Sequence, residues 1–285
     1  MASAPGRIEN GFYIAAATPS DVPTMARLSA ASFSTDRNTL VKGLGKEGYS
    51  LEQVMTEAIP SWMKSKNCVV LKAVSETSGD IAGWCTWGFR GLEESEVLTI
   101  GEAMYRSPSD PAAATTPPVN EAEEVERRED ARAGDTINDS TEPDAPINND
   151  MVVADKAAAL EALTSADMAR WMSILMPDGC RCMFVVSLIV APHWQKRGVG
   201  RALVRWATDQ ADKLGLYAWV HASDPSWGMY QKCGFETVGR LDIDLDSYAI
   251  APPKEGQGVE DGKWGQYVFR YMKRMPRNVS IASST

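Results

Sequence analysis

The chain has 285 residues, 44% of them apolar, and 29 basic against 38 acidic side chains give it a formal net charge of −9. That length suits one large domain or two small ones with a true hydrophobic core, and no run approaches the roughly eighteen apolar residues of a membrane span. Five scattered cysteines, Cys68, Cys85, Cys180, Cys182 and Cys233, and only two histidines, His193 and His221, fit neither a disulfide framework nor a zinc site, so no metal is expected.

In chain order, the N-terminal MASAPGRIENGFYI has no apolar stretch of the signal-peptide kind, so the expected location is cytoplasmic, with the nucleus also open. FYIAAAT (12–18) reads as a strand, and PSDVPTMARLSAASF (19–33) as a helix with Thr18 or Ser20 as its N-cap. SLEQVMTEAIPSWMKSK (50–66) reads as a second helix, broken or kinked at Pro60. CVVLKAVS (68–75) and DIAGWCTWGF (80–89) read as two strands joined by a tight ETSGD hairpin.

The negative charge is local. Residues 121–150 hold eleven Asp or Glu and three Arg, 3 − 11 = −8, which leaves the rest of the chain at −9 + 8 = −1. Preceded by SPSDPAAATTPPVN, this stretch has too little apolar surface to offset the entropy of ordering, so residues 106–150 are expected to be a disordered acidic insertion. The remainder shows no basic stripe with interleaved aromatics, which argues against nucleic acid.

After the insertion, 151–176 reads as two helices meeting near Thr164 and Ser165. The unbroken apolar run MFVVSLIV (183–190) reads as a central strand covered on both faces. VGRALVRWATDQADKL (199–214) reads as an amphipathic helix, LYAWVHA (216–222) as a strand, PSWGMYQKC (225–233) as a short helix ended by Gly234, and FETVGRLDIDL and QYVFRYMKRM as closing strands. This order predicts an α/β domain with a mixed sheet.

The junction between the central strand and its helix, HWQKRGVGRALV (193–204), places Gly198 and Gly200 at a helix start beside Lys196, Arg197 and Arg201. The first-turn N–H groups of a helix lack internal partners, glycines admit a bulky anion to the backbone, and the helix dipole adds partial positive charge. The junction is suited to a phosphate group. A P-loop would need GxxxxGK[ST], and a dinucleotide fingerprint a small residue where Leu203 stands; neither pattern is present.

What stands there is Q-x-x-G-x-G, Gln195 to Gly200, and one strand later MYQKCGFETVG (229–239) places Tyr230 four residues before Gly234 and Phe235. In both motifs, and in their order and spacing, the sequence resembles the GNAT superfamily of N-acetyltransferases, strongly over 180–275 and weakly over 8–92. The resemblance implies a GNAT-type mixed sheet of about seven strands flanked by helices, in one domain over 8–275, with the insertion inside it and a flexible tail at 276–285. It implies acetyl-CoA as co-substrate and direct acyl transfer to an amine. Carried over, Gln195, Lys196, Arg197, Gly198, Val199, Gly200 and Arg201 would bind the pyrophosphate, and backbone groups of Leu188, Ile189 and Val190 would pair with pantetheine. Ser223 stands nearest to the place of a pantetheine-binding Asn found in many members, and Tyr230 would be the general acid. A backbone N–H at a bulge in the central strand, near Ile189, would meet the carbonyl oxygen.

The general base is less legible, because the central strand offers Ser187 where many members carry Glu. His221 and Asp224 qualify by position, and water relays are another family solution. The acceptor pocket is expected between Phe33 and Tyr49, with Trp84, Trp87 and Phe89 as a wall. The acceptor itself is expected to be a primary amine of a small molecule, such as an amino sugar, arylalkylamine, polyamine or xenobiotic. Peptide N-termini or protein lysines are the enzymatic alternative, and a non-catalytic acyl-CoA-binding module with an acidic arm is the alternative of another class. Replacing 106–150 by a short Gly/Ser linker is expected to leave folding and acetyl-CoA affinity nearly unchanged. Comparing thermal unfolding of the shortened and full chains, with and without acetyl-CoA, checks this.

Overall fold

The computed structural model describes residues 7–8, 11–46, 48–105 and 149–277. Of the expected insertion, residues 106–148 lie outside the described residues, as do 278–285 of the expected tail. Among the described residues fifteen main elements follow one another: β1 (Arg7–Ile8), β2 (Phe12–Ala16), α1 (Val22–Phe33), α2 (Arg37–Gly43), α3 (Leu51–Lys64), β3 (Cys68–Ser75), β4 (Ile81–Arg90), α4 (Glu94–Tyr105), α5 (Asn149–Leu175), β5 (Cys182–Val190), α6 (Val199–Leu214), β6 (Tyr217–Ala222), α7 (Trp227–Lys232), β7 (Glu236–Asp244) and β8 (Gln266–Arg274).

The strands form one mixed sheet in the order β1-β2-β3-β4-β5-β6-β8-β7, seven substantial strands plus the two-residue β1 at one edge. All neighbours are antiparallel except β5 and β6, which run parallel and pair only through Cys182–Tyr217, Met183–Ala218 and Phe184–Trp219. Beyond Phe184 the two strands part, so the sheet opens between them. On its other side β5 stays paired with β4 as far as Val190, with one irregularity: Thr86 faces Ser187 but Trp87 faces Val185. Val186 is therefore the extra residue of a bulge, three residues earlier than the position near Ile189 expected from the sequence.

Two helical layers cover the N-terminal half of the sheet. Val22, Met25 and Ala26 of α1 and Ile59 of α3 pack on Val70, Trp84 and Ile189. The apolar stripe of α6, Val199, Leu203, Val204, Ala207 and Ala211, joins a separate cluster with Leu71, Cys85, Trp87 and Phe89. Alternation along β4 sends Trp84 one way and Trp87 and Phe89 the other. With exposures of 0%, 0% and 4%, these three aromatics are core rather than the pocket wall expected from the sequence, and the Trp84 indole N–H donates to Met25 O at 3.1 Å.

Helix α5 covers the C-terminal half, where Leu160 packs with Ile243, Leu245, Trp264, Tyr267 and Phe269. Trp171 stacks on Tyr271 at 4.9 Å, and a Cβ on Gly239 would fall 1.9 Å from the Trp171 ring, so this close approach requires glycine. The two helices expected over 151–176 are one, because the Thr164 hydroxyl bonds back to Leu160 O at 3.0 Å instead of capping a new start. Starting at Asn149, α5 also takes in the last two residues assigned to the insertion. Pro60 does not end α3, which runs on to Lys64. The helical run at 19–33 opens with a 3-10 turn, Pro19–Asp21, capped by Thr18 as expected, and the Asp21 carboxylate accepts from Thr18 N at 2.7 Å and from Lys72 Nζ at 2.6 Å. Helices α2 and α4 carry no signal that the sequence reading used.

Candidate active site

The opening between β5 and β6 is the floor of a cavity of about 1050 Å³. The sequence-predicted binding residues Leu188, Ile189, Val190, Gln195, Lys196, Arg197, Gly198, Val199, Gly200, Arg201 and Ser223 all line it. Phe12, Ser32, Phe33, Asp36, Trp194, Pro225, Ser226, Met229 and Lys232 complete the wall. The walls come from α1, the end of β5, the start of α6 and α7, so this fold brings together groups that lie far apart in sequence.

The phosphate-type junction is built from two unusual backbone positions. Gly198, the N-cap of α6, has φ +89°, and Lys196 two residues before it has φ +60°. The left-handed pair turns the chain sharply from β5 into α6, whose first residues Val199, Gly200 and Arg201 line the cavity; the first helical bond of α6 is Ala202 N–H to Gly198 O at 2.9 Å, which leaves the N–H groups before it without a partner inside the helix. Arg197 lies over the Trp194 ring at 4.9 Å, which fixes one cation of the loop on an aromatic platform. The Gln195 amide donates to Val190 O at 3.2 Å, and Ser32 Oγ donates to the same carbonyl at 2.8 Å, so loop, strand end and α1 meet at one oxygen.

Tyr230 does not appear among the lining residues, although its neighbour Met229 does. It is 3% exposed, and its ring meets Phe235 edge-on at 5.6 Å. Burial first, then the neighbouring Cys85 and Cys233, push the phenol well above its ordinary range, so it holds its proton throughout the neutral range.

His221 is also outside the cavity wall. Its ring stacks between Phe269 at 4.3 Å and Tyr271 at 4.7 Å, and Nε2 is buried with no hydrogen-bond partner among the described residues. Burial, with a smaller push from Lys42, lowers its pKa to about 4. The position that suggested a base is thus a packed, neutral imidazole. Because the unfolded chain binds this proton near pH 6.5 and the folded chain only near 4, the stability it carries is full above 6.5 and lost as pH falls toward 4. His221→Phe, which keeps the stack, is expected to reduce the acid sensitivity of unfolding between pH 7 and 5 by about 2 kcal/mol. Urea titrations of both proteins at the two pH values check it.

Asp224, the other positional candidate, is bound by two guanidinium groups, Arg270 at 3.1 Å and Arg37 at 3.5 Å. The sequence reading missed Asp36. It sits in the cavity wall at 9% exposure, and its carboxylate accepts from Thr39 N at 2.9 Å, Thr39 Oγ1 at 2.8 Å and Tyr267 Oη at 2.7 Å. The signal available was D-x-x-T before a short helix, an N-cap pattern that reads as structure. Within the expected acceptor segment 33–49, Phe33 and Asp36 reach the cavity, while Tyr49 is 48% exposed and is not among its lining residues. Among the described residues no group of three or more His, Cys, Asp or Glu is placed to hold a metal, and no helix is long and apolar enough to cross a membrane.

A family model described as acetyltransferase (GNAT) family matches residues 135–235, which include β5, the whole Q-x-x-G-x-G loop, α6, β6 and α7. Among solved structures, arylalkylamine N-acetyltransferase 2 from Aedes aegypti is 12% identical, with 94% of this chain and 100% of that one covered at a TM-score of 0.51. Mosquito arylalkylamine N-acetyltransferase like 5b is 12% identical over 93% of this chain and 99% of its own, with a TM-score of 0.49. At this identity the likeness concerns the fold. Comparison with curated protein sequences returns no match. The stretch that matches the GNAT acetyltransferase family model thus contains the glycine junction and the parallel β5–β6 pair that opens beside it.

Proposed function

We propose that the chain is an acetyl-CoA-dependent N-acetyltransferase acting on a primary amine of a small molecule. The observation that carries this reading is the convergence in one cavity of the left-handed Lys196–Gly198 loop, the start of α6 and the unpaired edge of β5. The loop N–H groups, with Lys196, Arg197 and Arg201, supply donors and positive charge for a pyrophosphate. The edge of β5 from Val185 onward has no β6 partner, so its backbone can pair with the amides of a pantetheine arm as a further strand would. Ser223, on the opposite lip of the opening, supplies a hydroxyl to the same arm.

Bound acetyl-CoA supplies an activated acetyl thioester. The chain's own part is to orient the carbonyl, to offer the N–H groups of the bulge at Val186 to its oxygen, and to deliver a proton from Tyr230 to the departing sulfur. On the acceptor side Ser32, Phe33 and Asp36 provide one hydroxyl, one aromatic ring and one carboxylate. That set suits a compact amine.

The test is release of free thiol from acetyl-CoA in the presence of a panel of amines and peptides, with acetylated products identified by intact mass. Arylalkylamines belong in the panel because the Aedes aegypti protein that shares this fold is named for them. Acetylation of small amines is expected. Acetylation confined to peptides would move the acceptor to protein termini or lysines, and binding of acetyl-CoA without any product would leave a non-catalytic module.

A further inference from the structure

We propose that Asp36 is the group that takes the proton from the incoming ammonium, with Tyr267 as its positioning partner. This rests on the acetyl-transfer reading above. At neutral pH an alkylamine with a reference pKa near 10.4 is almost wholly protonated, and its nitrogen has no free lone pair for attack. A proton acceptor is therefore needed on the acceptor side. The central strand offers Ser187, His221 is stacked away from the cavity, and Asp224 is held between Arg37 and Arg270. Among the described residues, Asp36 is the one carboxylate in the cavity wall.

Its surroundings fix it there. The Thr39 N–H and hydroxyl hold one carboxylate oxygen, Oδ2, and the Tyr267 hydroxyl holds the other, Oδ1. Tyr267 is 1% exposed, and burial first, then the charge and hydrogen bond of Asp36, push its phenol far above the ordinary range, so it remains a donor to Asp36. Ser223, on the cavity wall, donates its hydroxyl to Ser226 Oγ at 2.9 Å. Asp36 itself lines the cavity, so an incoming ammonium can reach its carboxylate directly. The charges around the pair are Arg37, which lies over the Tyr267 ring at 5.7 Å, and beyond it Asp224 and Arg270.

The step balances as follows. One ammonium proton moves directly to the Asp36 carboxylate. The freed nitrogen pair forms the N–C bond to the acetyl carbonyl, and the C–S bond breaks. The thiolate takes the Tyr230 proton, the second nitrogen proton restores the phenol, and the proton on Asp36 leaves to solvent.

Asp36→Asn tests this with little risk to the fold, because Asn also serves as an N-cap for α2. For an alkylamine that the native protein acetylates, kcat/KM at pH 7 is expected to fall by ~10²–10⁴-fold, and the deficit to shrink steadily as pH approaches the amine's own pKa. Acetyl-CoA affinity should be unchanged. Tyr267→Phe, which keeps the buried ring, should shift the pH profile in the same direction by a smaller factor. A raised KM with kcat and pH profile unaltered would make Asp36 a charge that merely holds the cation and would overturn the proposal. So would an equal deficit at every pH. Failure of the native protein itself to acetylate any amine would instead sink the acetyl-transfer reading on which the proposal rests.

Discussion

Gly200→Asp is expected to abolish acetyl-CoA binding while leaving the unliganded protein as stable as before. A Cβ at Gly200 would meet Val190 Cγ2 at 3.4 Å, Leu188 Cδ2 at 3.7 Å and Met229 Cε at 3.9 Å, all ordinary contacts. Nothing among the described residues forbids a side chain there, and Gly200 lines the cavity. An acidic residue in the first turn of α6 even favours the helix through its dipole. On the proposed reading the same carboxylate would stand where the pyrophosphate approaches the backbone, so it would harm the complex alone. Gly198 is a poorer probe, because φ +89° makes any side chain there strained and mixes binding with folding. At a concentration near 100 times its Kd, acetyl-CoA should stabilise the native protein by about 2.7 kcal/mol, and this gain should vanish in Gly200→Asp. An undiminished thermal shift in the variant would place the coenzyme elsewhere.

Where one local pattern determines one local structure, the sequence was a good guide. The Gln195–Gly200 junction could be located because a helix start, two glycines and flanking cations stand together in one short stretch, and all the residues named from it line the cavity. The hairpin between β3 and β4 was legible for a similar reason: ETSGD places Gly79 at φ +74° between two apolar runs. What failed depends on distance. Trp84, Trp87 and Phe89 looked available for a pocket because exposure is set by which helix lands on which face, and no single segment records that. Thr164 and Ser165 looked like a helix break because a threonine can cap or can bond back one turn, and here Thr164 is buried, bonds back to Leu160 O and accepts from Lys42, more than a hundred residues away in sequence. His221 looked like a base because its position on β6 was visible, whereas Phe269 and Tyr271 reach it from β8, about 50 residues on. Asp36 was overlooked for the converse reason. Its N-cap pattern gave a sufficient local explanation, and its partner Tyr267 is 231 residues away.

Tyr230→Phe is expected to keep acetyl-CoA binding and to lower kcat by ~10²–10⁴-fold, the range for a positioned acid. The ring should stay where it is, because its edge-on contact with Phe235 involves carbon and hydrogen only. No described residue hydrogen-bonds to the hydroxyl, so its removal leaves no orphaned partner and should cost little stability. A phenol held protonated by burial is of no use as a base, but it can donate to a thiolate as the C–S bond breaks. That role carries its own signature. Acyl donors whose thiol is more acidic need less protonation at sulfur, so the variant's deficit should shrink with them, whereas a ring that only supports α7 would slow every donor alike. The comparison needs kcat for native and Tyr230→Phe proteins with acetyl-CoA and with a donor of lower thiol pKa, at saturating amine. If the variant turns over normally, or is slowed equally with both donors, the tyrosine is packing and the departing sulfur takes its proton from solvent.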